Sequence, residues 1–262
     1  MGFLPIYARV YLYFLAALLG LVLGSALNCL SYRIAHGQKW SGKSRSVCPV
    51  CGHVLGAKDL VPLFSYLFLK GKCRYCGTKI SPRYPLTEAM LAVCYMSILA
   101  RFGLTLDALS WAVFCSCLFC LSLVDLETRM IPDRFLVIPA VFRILQLLLE
   151  GGLKGLLSGI WPGLAMGGAV LVLTLIMDKI LKKETMGGGD IKLLAVVGMF
   201  LPFSQCLLML ILACVVGILM AAILMKAKPD AAFPFGPAIS LSAWITMLAG
   251  EAIVSWYWSL FL

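Results

Sequence analysis

The sequence has little charge for its length. Of its 262 residues, 13% are charged and 62% are hydrophobic. Soluble domains average about 25% charged and about 45–50% apolar residues, so a soluble fold of this size could not bury so much apolar surface. The composition therefore excludes an ordinary cytosolic enzyme, a disordered tail and a secreted disulfide scaffold. It predicts an integral membrane protein.

The sequence also lacks internal repeats and low-complexity segments, and its number of cysteines is not even. Eleven cysteines are present, and an odd number argues against a complete disulfide framework. Seven of them lie within apolar runs, where cysteine packs as a small hydrophobe. These seven are Cys29, Cys94, Cys115, Cys117, Cys120, Cys206 and Cys214.

Long apolar runs nearly free of charged residues are candidates for membrane crossings, because a helix needs about 20 apolar residues to span about 30 Å of hydrocarbon. The 33 residues 193–225 carry no charge, which is too many for one crossing and few for two with a turn. Pro202 indicates where they divide, and a single long helix, which would weaken the bias of basic residues to one side, is the alternative. We predict an all-α polytopic membrane protein with about eight transmembrane helices. The predicted crossings are 10–32, 86–101, 108–124, 135–149, 156–177, 193–203, 204–225 and 238–258.

The basic residues indicate an orientation. With eight crossings, 18 of the 22 Lys and Arg residues fall on one side, ten of them in residues 31–85. The positive-inside rule places that side in the cytoplasm. We therefore predict three regions: a first transmembrane anchor (1–32), a small cytoplasmic four-cysteine loop domain (33–85) and a transmembrane core (86–262).

Four cysteines of this loop form two CxxC pairs, Cys48-Pro-Val-Cys51 and Cys73-Arg-Tyr-Cys76, separated by 21 residues. Two residues between thiolates let one tight turn present both sulfurs to an ion, and the glycine after each pair can relax the backbone. The pattern predicts a closed, structural zinc site. The alternatives are two disulfides, which the reducing cytoplasm disfavours, or four unliganded thiols. His53 is expected on the surface.

Two aspartates stand at the ends of predicted crossings. Asp125 closes the third, and Asp190 opens the sixth after three glycines at 187–189. Ionisable groups at that depth are costly and are functional candidates. Two carboxyl groups brought together tend to share one proton, which supplies a base to activate water and an acid to polarise a carbonyl. The glycines permit positive φ or close backbone approach to an extended peptide.

The two aspartates are also compatible with structural and transport roles. A terminal aspartate can cap a helix or interact with its positive N-terminal pole, which suits Asp190 but not Asp125 at a C-terminal end. The pair could also be the relay of a proton-coupled membrane transporter. A third hypothesis is a non-catalytic assembly factor that binds partners through the zinc loop.

Taken together, these motifs resemble the bacterial type IV prepilin peptidase family, whose members are membrane aspartic proteases of the GxGD type. The likeness extends over nearly the whole chain. The matching blocks are Gly24-Ser25-Ala26-Leu27-Asn28 through Tyr32-Arg33, the two CxxC pairs, Pro85-Leu86-Thr87-Glu88, Asp125-Leu126-Glu127-Thr128 with Ile131-Pro132-Asp133, Gly187-Gly188-Gly189-Asp190-Ile191-Lys192-Leu193-Leu194 and Pro234-Phe235-Gly236-Pro237.

The resemblance implies a multi-pass enzyme of the bacterial inner membrane. It would remove the basic leader from type IV prepilins and type II secretion pseudopilins at the cytoplasmic face, with Asp125 and Asp190 as its catalytic residues. Many members then N-methylate the new terminus with S-adenosylmethionine. The sequence has no GxGxxG after a strand and no soluble domain long enough for a doubly wound methyltransferase, so methylation rests on the resemblance alone.

The expected partners are these pilin precursors and membrane lipids. Nucleic acid is not among them, because anionic headgroups explain the charge of the basic loop.

Several polar residues carry separate expectations. Asn28 should form an interhelical hydrogen bond. Glu88 is expected to lie at a helix start on the positive pole, with orientation of the loop or contact with the methyl donor as the alternative. Glu127 and Asp133 are expected to be solvated, with Asp133 capping a helix after Pro132. The alternative is that they tune the proton affinity of Asp125 or contact the basic leader. Arg143, inside a predicted crossing, either extends to the outer boundary or pairs with a carboxylate of another helix.

Overall fold

A computed structural model describes residues 5–38, 46–227 and 233–260 of the chain. Its described residues form eight α-helices and a 3₁₀ turn at Ala57–Asp59, and their only extended pairings are two isolated bridges. The prediction of an all-α protein is therefore confirmed. The chain divides into two compact units, Met1–Leu104 and Thr105–Leu262.

Six of the eight helices are long and apolar enough to cross a membrane: α1, α3, α4, α5, α7 and α8. The first unit contains α1 (Ile6–Ala35), α2 (Phe64–Phe68) and α3 (Arg83–Phe102). The second contains α4 (Leu106–Thr128), α5 (Arg134–Leu181), α6 (Gly188–Gly198), α7 (Phe203–Ala227) and α8 (Gly236–Ser259).

Helix α5 holds two of the predicted crossings. Its 48 residues are interrupted at Gly152, which has a φ of 57°. Leu147 lies against Gly155 and Gly159. A Cβ built on Gly159 would be only 2.5 Å from a Leu147 methyl carbon. In a straight helix residues 12 apart are about 18 Å distant, so the chain reverses at this point. The two arms correspond to the predicted crossings 135–149 and 156–177.

Helix α6 differs from the prediction. The expected crossing at 193–203 is an 11-residue helix at Gly188–Gly198, which is about 16 Å long and too short to cross the hydrocarbon. The predicted division at Pro202 is correct, since α7 begins at Phe203. Six helices are thus long enough to span a membrane, of which α5 covers two of the predicted crossings, and α6 is shorter than the crossing predicted there.

Helices α1 and α3 pack with their backbones in contact. A Cβ on Gly20 would lie 2.5 Å from the Ala92 Cα, and one on Gly24 would lie 2.9 Å from the Glu88 Cα. The spacing Gly20-x-x-x-Gly24 is the small-residue motif that lets membrane helices approach closely. Beside it, Asn28 Nδ2 donates to Thr87 Oγ1 at 2.6 Å, which confirms the predicted interhelical hydrogen bond.

The second arm of α5 packs on α6 in the same way. A Cβ on Gly163 would lie 2.4 Å from the Ala195 carbonyl oxygen, and one on Gly198 would lie 2.6 Å from the Gly163 Cα. Gly167 continues the contact, again with the spacing Gly-x-x-x-Gly. These glycines fix the lateral position of α6, the helix whose first turn contains Asp190.

The predicted boundaries at 32/33 and 85/86 stay a prediction. Residues 39–45 of the predicted loop domain lie outside the described residues, as does Lys228 of the basic tally.

We expect Gly163→Ala to destabilise the protein by roughly 1–3 kcal/mol, because the added methyl group meets a backbone oxygen that cannot move without shifting α6. The matched control is Gly168→Ala in the same helix, where a Cβ meets nothing within 4 Å. Thermal unfolding of the two purified variants in the same detergent checks this. Equal midpoints for both variants would contradict it.

Candidate functional site

Asp125 occupies the last turn of α4 and is 4% exposed. Its helix ends at Arg129, whose N–H donates to the Asp125 carbonyl at 2.8 Å and whose φ is 57°. The Asp125 carboxylate accepts the Gly236 N–H at 2.9 Å, at the start of α8. The Asp125 carboxylate, at the unfavourable C-terminal pole of α4, is thus stabilised by the positive N-terminal pole of α8.

Asp190 lies in the first turn of α6 and is half-buried. Its N–H donates to the Gly187 carbonyl at 3.0 Å, and a Cβ on Gly187 would lie 3.3 Å from one of its carboxylate oxygens. None of the glycines 187–189 has positive φ, although the sequence would permit it there. A close contact within the protein occurs at Gly189, where a Cβ would lie 3.1 Å from the Ile131 Cβ. The close approach to an extended peptide stays a prediction.

The segment after α4 therefore lies beside the start of α6. Lys192 Nζ forms an ion pair with Asp133 Oδ1 at 2.8 Å, next to the contact between Gly189 and Ile131. Asp133 is the N-cap residue of α5, as expected, but its side chain makes no capping hydrogen bond. The carboxylate is engaged by Lys192 instead. Glu127 is exposed, as expected.

The other end of α6 is held by Arg143. Its guanidinium donates to the Met199 carbonyl at 3.1 Å and to Asp107 at 3.0 Å, and it lies over the Phe200 ring. Gln146, which is 3% exposed, also donates to Asp107 at 2.8 Å. Of the two expectations for Arg143, pairing with a carboxylate of another helix is correct.

The two candidate aspartates interact electrostatically. Burial, followed by repulsion from the Asp125 carboxylate, raises the pKa of Asp190 to about 6. Such a pair tends to hold one proton at a pH where isolated carboxyl groups hold none. One ionised and one protonated carboxyl group can together activate water and polarise a carbonyl, which is the chemistry of an aspartic protease.

In the first unit, the two CxxC turns have the same backbone geometry. The N–H groups of Cys48 and Cys73 each donate to the carbonyl five residues on, at 3.0 and 2.8 Å. Their carbonyls accept the N–H groups of Gly52 and Gly77, at 2.9 and 3.0 Å. Both glycines have positive φ, 69° and 72°. Only glycine adopts that conformation without strain.

The four sulfur atoms of Cys48, Cys51, Cys73 and Cys76 lie within 4.8 Å of one another, and those of Cys48 and Cys76 are 3.9 Å apart. A tetrahedral zinc with Zn–S distances of about 2.3 Å needs sulfurs about 3.8 Å apart, so the cluster fits the ion. No disulfide joins any of these cysteines. His53 is not part of the cluster and stacks on Tyr75.

Hydrogen bonds from the turns favour the thiolate at Cys48 and Cys76 but not at Cys51. The His53 N–H acts to lower the pKa of Cys51, yet desolvation and the neighbouring Cys48 and Cys76 thiols raise it to about 11. Backbone N–H groups of Cys51 and Val50 lower the pKa of Cys48, and the hydrogen bond with the Thr78 hydroxyl lowers the pKa of Cys76 to about 6. Thiolates are the form that binds zinc.

Glu88 joins the loop to the membrane helix. It is 7% exposed, in the second turn of α3, and its Oε2 accepts the Leu63 N–H at 2.8 Å. The expectation of a helix-start glutamate on the dipole is wrong, because Glu88 lies beyond the first turn and its carboxylate holds the loop backbone. Orientation of the loop, the alternative, is what the structure shows.

Sequence reasoning missed two groups of residues that shape the acidic site. Gly236 supplies the amide that binds Asp125, and its place within Pro234-Phe235-Gly236-Pro237 was the available signal. The glycines that seat α6 were signalled by the Gly163-x-x-x-Gly167 spacing.

The fold and the two sites define a class: a polytopic helical membrane protein with a paired-carboxyl site in one unit and a four-thiol cluster in the other. Comparison with known proteins narrows this class. Residues 18–102 match the bacterial peptidase A24 N-terminal domain, and residues 112–222 match the type IV leader peptidase family.

Several relatives are similar over most of their length. The chain is 31% identical to a prepilin leader peptidase/N-methyltransferase of Neisseria gonorrhoeae, over 93% of each protein. It is 32% identical to the protein of that name from Pseudomonas putida, over 93% of this chain and 92% of the relative. For the Bacillus subtilis protein the identity is 33%, over 81% and 85%. No solved structure gives a significant match.

The chain therefore belongs to the type IV leader peptidase family, which confirms the resemblance seen in the sequence. It is a membrane-spanning protease.

We expect Gly236→Ala to lower leader removal at least about tenfold, because the new Cβ would lie 2.7 Å from the Asp125 Oδ2 and displace the carboxylate. Gly188→Ala is the matched control, since a Cβ there meets nothing within 4 Å. The measurement is the rate at which each purified variant converts a pilin precursor. Unimpaired cleavage by the Gly236 variant would show that the Asp125–Gly236 contact is dispensable.

Proposed function

We propose that the chain is an aspartic endopeptidase that removes the basic leader of type IV prepilins or pseudopilins, with Asp125 and Asp190 as its catalytic pair. The observation that carries the proposal is the electrostatic interaction between two carboxyl groups: the buried Asp125, which accepts an N–H from the start of α8, and the half-buried Asp190 in the first turn of α6. The relatives' names supply the substrate class. The family match favours this function over a proton-coupled transporter.

The geometry suggests a role for each of the two carboxyl groups. One Asp125 oxygen accepts the Gly236 N–H, which orients the carboxyl group and leaves its other oxygen for water. With one proton held between the two groups, the ionised carboxylate removes a proton from the attacking water. The protonated partner donates a hydrogen bond to the scissile carbonyl. Collapse of the tetrahedral intermediate then returns a proton to the leaving amine.

The location of the pair suits a precursor with a basic leader followed by an apolar helix. Asp125 ends a spanning helix, and Asp190 precedes the apolar part of α6. On the orientation favoured by the distribution of lysine and arginine, both lie at the cytoplasmic face of the inner membrane. A precursor held by its apolar helix would present its cleavage point at that depth.

The four-cysteine cluster belongs to the proposal as a structural zinc site. Cys48, Cys51, Cys73 and Cys76 would occupy all four positions of a tetrahedral ion, which leaves none for water or substrate. The ion would therefore stabilise a loop that has little apolar core of its own.

The second activity in the proposal is N-methylation of the cleaved product. The relatives carry N-methyltransferase in their names, and such a reaction uses a donor of the S-adenosylmethionine type. The chain would transfer one methyl group to the amine that cleavage exposes.

The purified chain is incubated with a pilin precursor, with and without S-adenosylmethionine, and the products are weighed by mass spectrometry. We expect leader removal in both reactions and one added methyl group only with the donor. Asp125→Asn or Asp190→Asn should lower cleavage more than about a thousandfold, because either change removes the acid–base pair.

Glu127→Gln is the matched control, because Glu127 is exposed and only two residues from Asp125. It should cleave at nearly the normal rate. The two Asp variants must also reach normal levels in the membrane, so that lost activity reports chemistry. Normal processing by either of them would refute the paired-acid mechanism.

For the zinc site, we expect one zinc per chain and its loss in Cys48→Ser or Cys73→Ser, because both thiols are buried and each supplies one ligand. Cys115→Ser is the control, since Cys115 is a buried cysteine of α4 outside the cluster. Elemental analysis of protein purified without chelators gives the zinc content. Metal-free wild-type protein would argue against the site.

A further inference from the structure

Helix α6 packs on the second arm of α5 through small residues, and this contact alone does not define its axial position. Gly163 and Gly167 of α5 lie against Ala195 and Gly198 of α6 at backbone distance. Helices resist sliding when side-chain ridges of one fill grooves of the other, and glycine contributes no ridge. The contact therefore sets the distance between the two helices but opposes sliding and rotation of α6 only weakly.

The contacts at the Asp190 end of α6 also resist a shift only weakly. Lys192 pairs there with Asp133 at 2.8 Å, and the two side chains are 60% and 65% exposed. Ion pairs between exposed side chains contribute little, because water screens them. The neighbouring contact of Gly189 joins α6 to Ile131, which belongs to the connection before α5 and not to a helix. The axial position of α6 therefore depends mainly on its other end.

Arg143 binds that other end. Its Nε donates at 3.1 Å to the carbonyl of Met199, the residue directly after α6. The guanidinium carbon lies 5.4 Å from the centre of the Phe200 ring, and this ring stacks on Phe114 of α4 with ring centres 4.1 Å apart. The Arg143 side chain is only 14% exposed, so water screens these contacts far less than the ion pair of Lys192.

The guanidinium is itself held by two helices. Its Nη1 donates to Asp107 of α4 at 3.0 Å and to Gln146, one turn later in α5, at 2.8 Å. Gln146 is 3% exposed, donates to Asp107 at 2.8 Å and to Glu150 at 3.2 Å, and accepts the Ser110 hydroxyl. A planar guanidinium with several donors engaged has one favoured orientation. The Met199 carbonyl is thereby tied to both α4 and α5.

We propose that Arg143 is a positioning residue for cleavage: it fixes the axial position and rotation of α6, and through them the place of the Asp190 carboxyl group relative to Asp125. The inference rests on the proposed catalytic role of the two aspartates. Asp190 and Met199 are nine residues apart, which is about 13.5 Å along a helix axis. Over so short a helix, a shift at Met199 displaces Asp190 by a similar amount. A misplacement of about 1 Å can lower a rate about a hundredfold.

The first test measures cleavage of a pilin precursor by purified full-length variants, per folded protein and well below their unfolding midpoints. Arg143→Met combined with Asp107→Asn removes the donor to Met199 and leaves neither charge without its partner. We expect kcat to fall between about tenfold and about a hundredfold. KM should stay within about twofold, because only the placement of a reacting group changes.

Two further variants separate positioning from a general loss of structure. Arg143→Lys should recover part of the lost rate, since an ammonium group can still donate to the Met199 carbonyl. Lys154→Gln is the matched control, because it removes an exposed charge from the same helix, and it should cleave at the normal rate. A normal kcat in the double variant, or a kcat equally low in Arg143→Lys, would overturn the proposal.

Hydrogen–deuterium exchange of the same variants follows α6 without any cleavage reaction. In the double variant we expect severalfold faster exchange, confined to peptides that cover α6 and residues 199–202, because these amides lose their anchor to α4 and α5. Peptides of α8 should exchange as in the unmodified protein. Unchanged exchange in α6, or an equal rise in α8, would overturn the proposal.

Failure of the proposed function can be told apart from failure of this inference. Normal cleavage by Asp190→Asn would refute the paired-acid mechanism, and this role of Arg143 with it. Lost cleavage in Asp190→Asn, together with a normal kcat in the double variant, would refute only the role of Arg143.

Discussion

Two carboxyl groups that share a site away from bulk water resist ionising together, and the second unit is built to hold them there. Each faces the positive end of a helix: Asp125 receives an amide from the start of α8, and Asp190 is in the first turn of α6. These poles offset part of the cost of burying negative charge. Burial, and then the repulsion that remains, raise the pKa of Asp190 to about 6, which is the property that the proposed acid–base chemistry needs.

The short length of α6 explains why the charged Arg143 lies within an apolar run. A helix that ends after 11 residues leaves carbonyl oxygens without partners at a depth where water is scarce. Arg143, within an apolar run, donates to the Met199 carbonyl and is itself neutralised by Asp107. The lateral position of α6 is set by backbone contact at Gly163 and Gly198. Asp190 thus projects from a helix fixed at both ends and along one side.

The sequence predicted the features that depend on local pattern. Apolar runs located the helices, CxxC spacing gave the four-sulfur cluster, and Asn28 needed a partner because hydrocarbon offers none. It could not predict α6 as a half-length helix, because hydropathy records apolar composition but not where a chain turns within the membrane. Nor could it give Glu88 its bond to Leu63, which depends on how a loop folds back over 25 residues. Peptidase motifs identified both aspartates, but not the Gly236 amide that orients one of them.

The glycine contact between α1 and α3 bears on how the protein is made. Every contact within the first unit joins residues that precede Thr105, so its two membrane helices and its cysteine turns are complete once that part of the chain has emerged. Domains fold as units during synthesis, with the N-terminal one first. The first unit can therefore assemble, with its four thiols brought together, while the ribosome is still translating the helices that carry the aspartates.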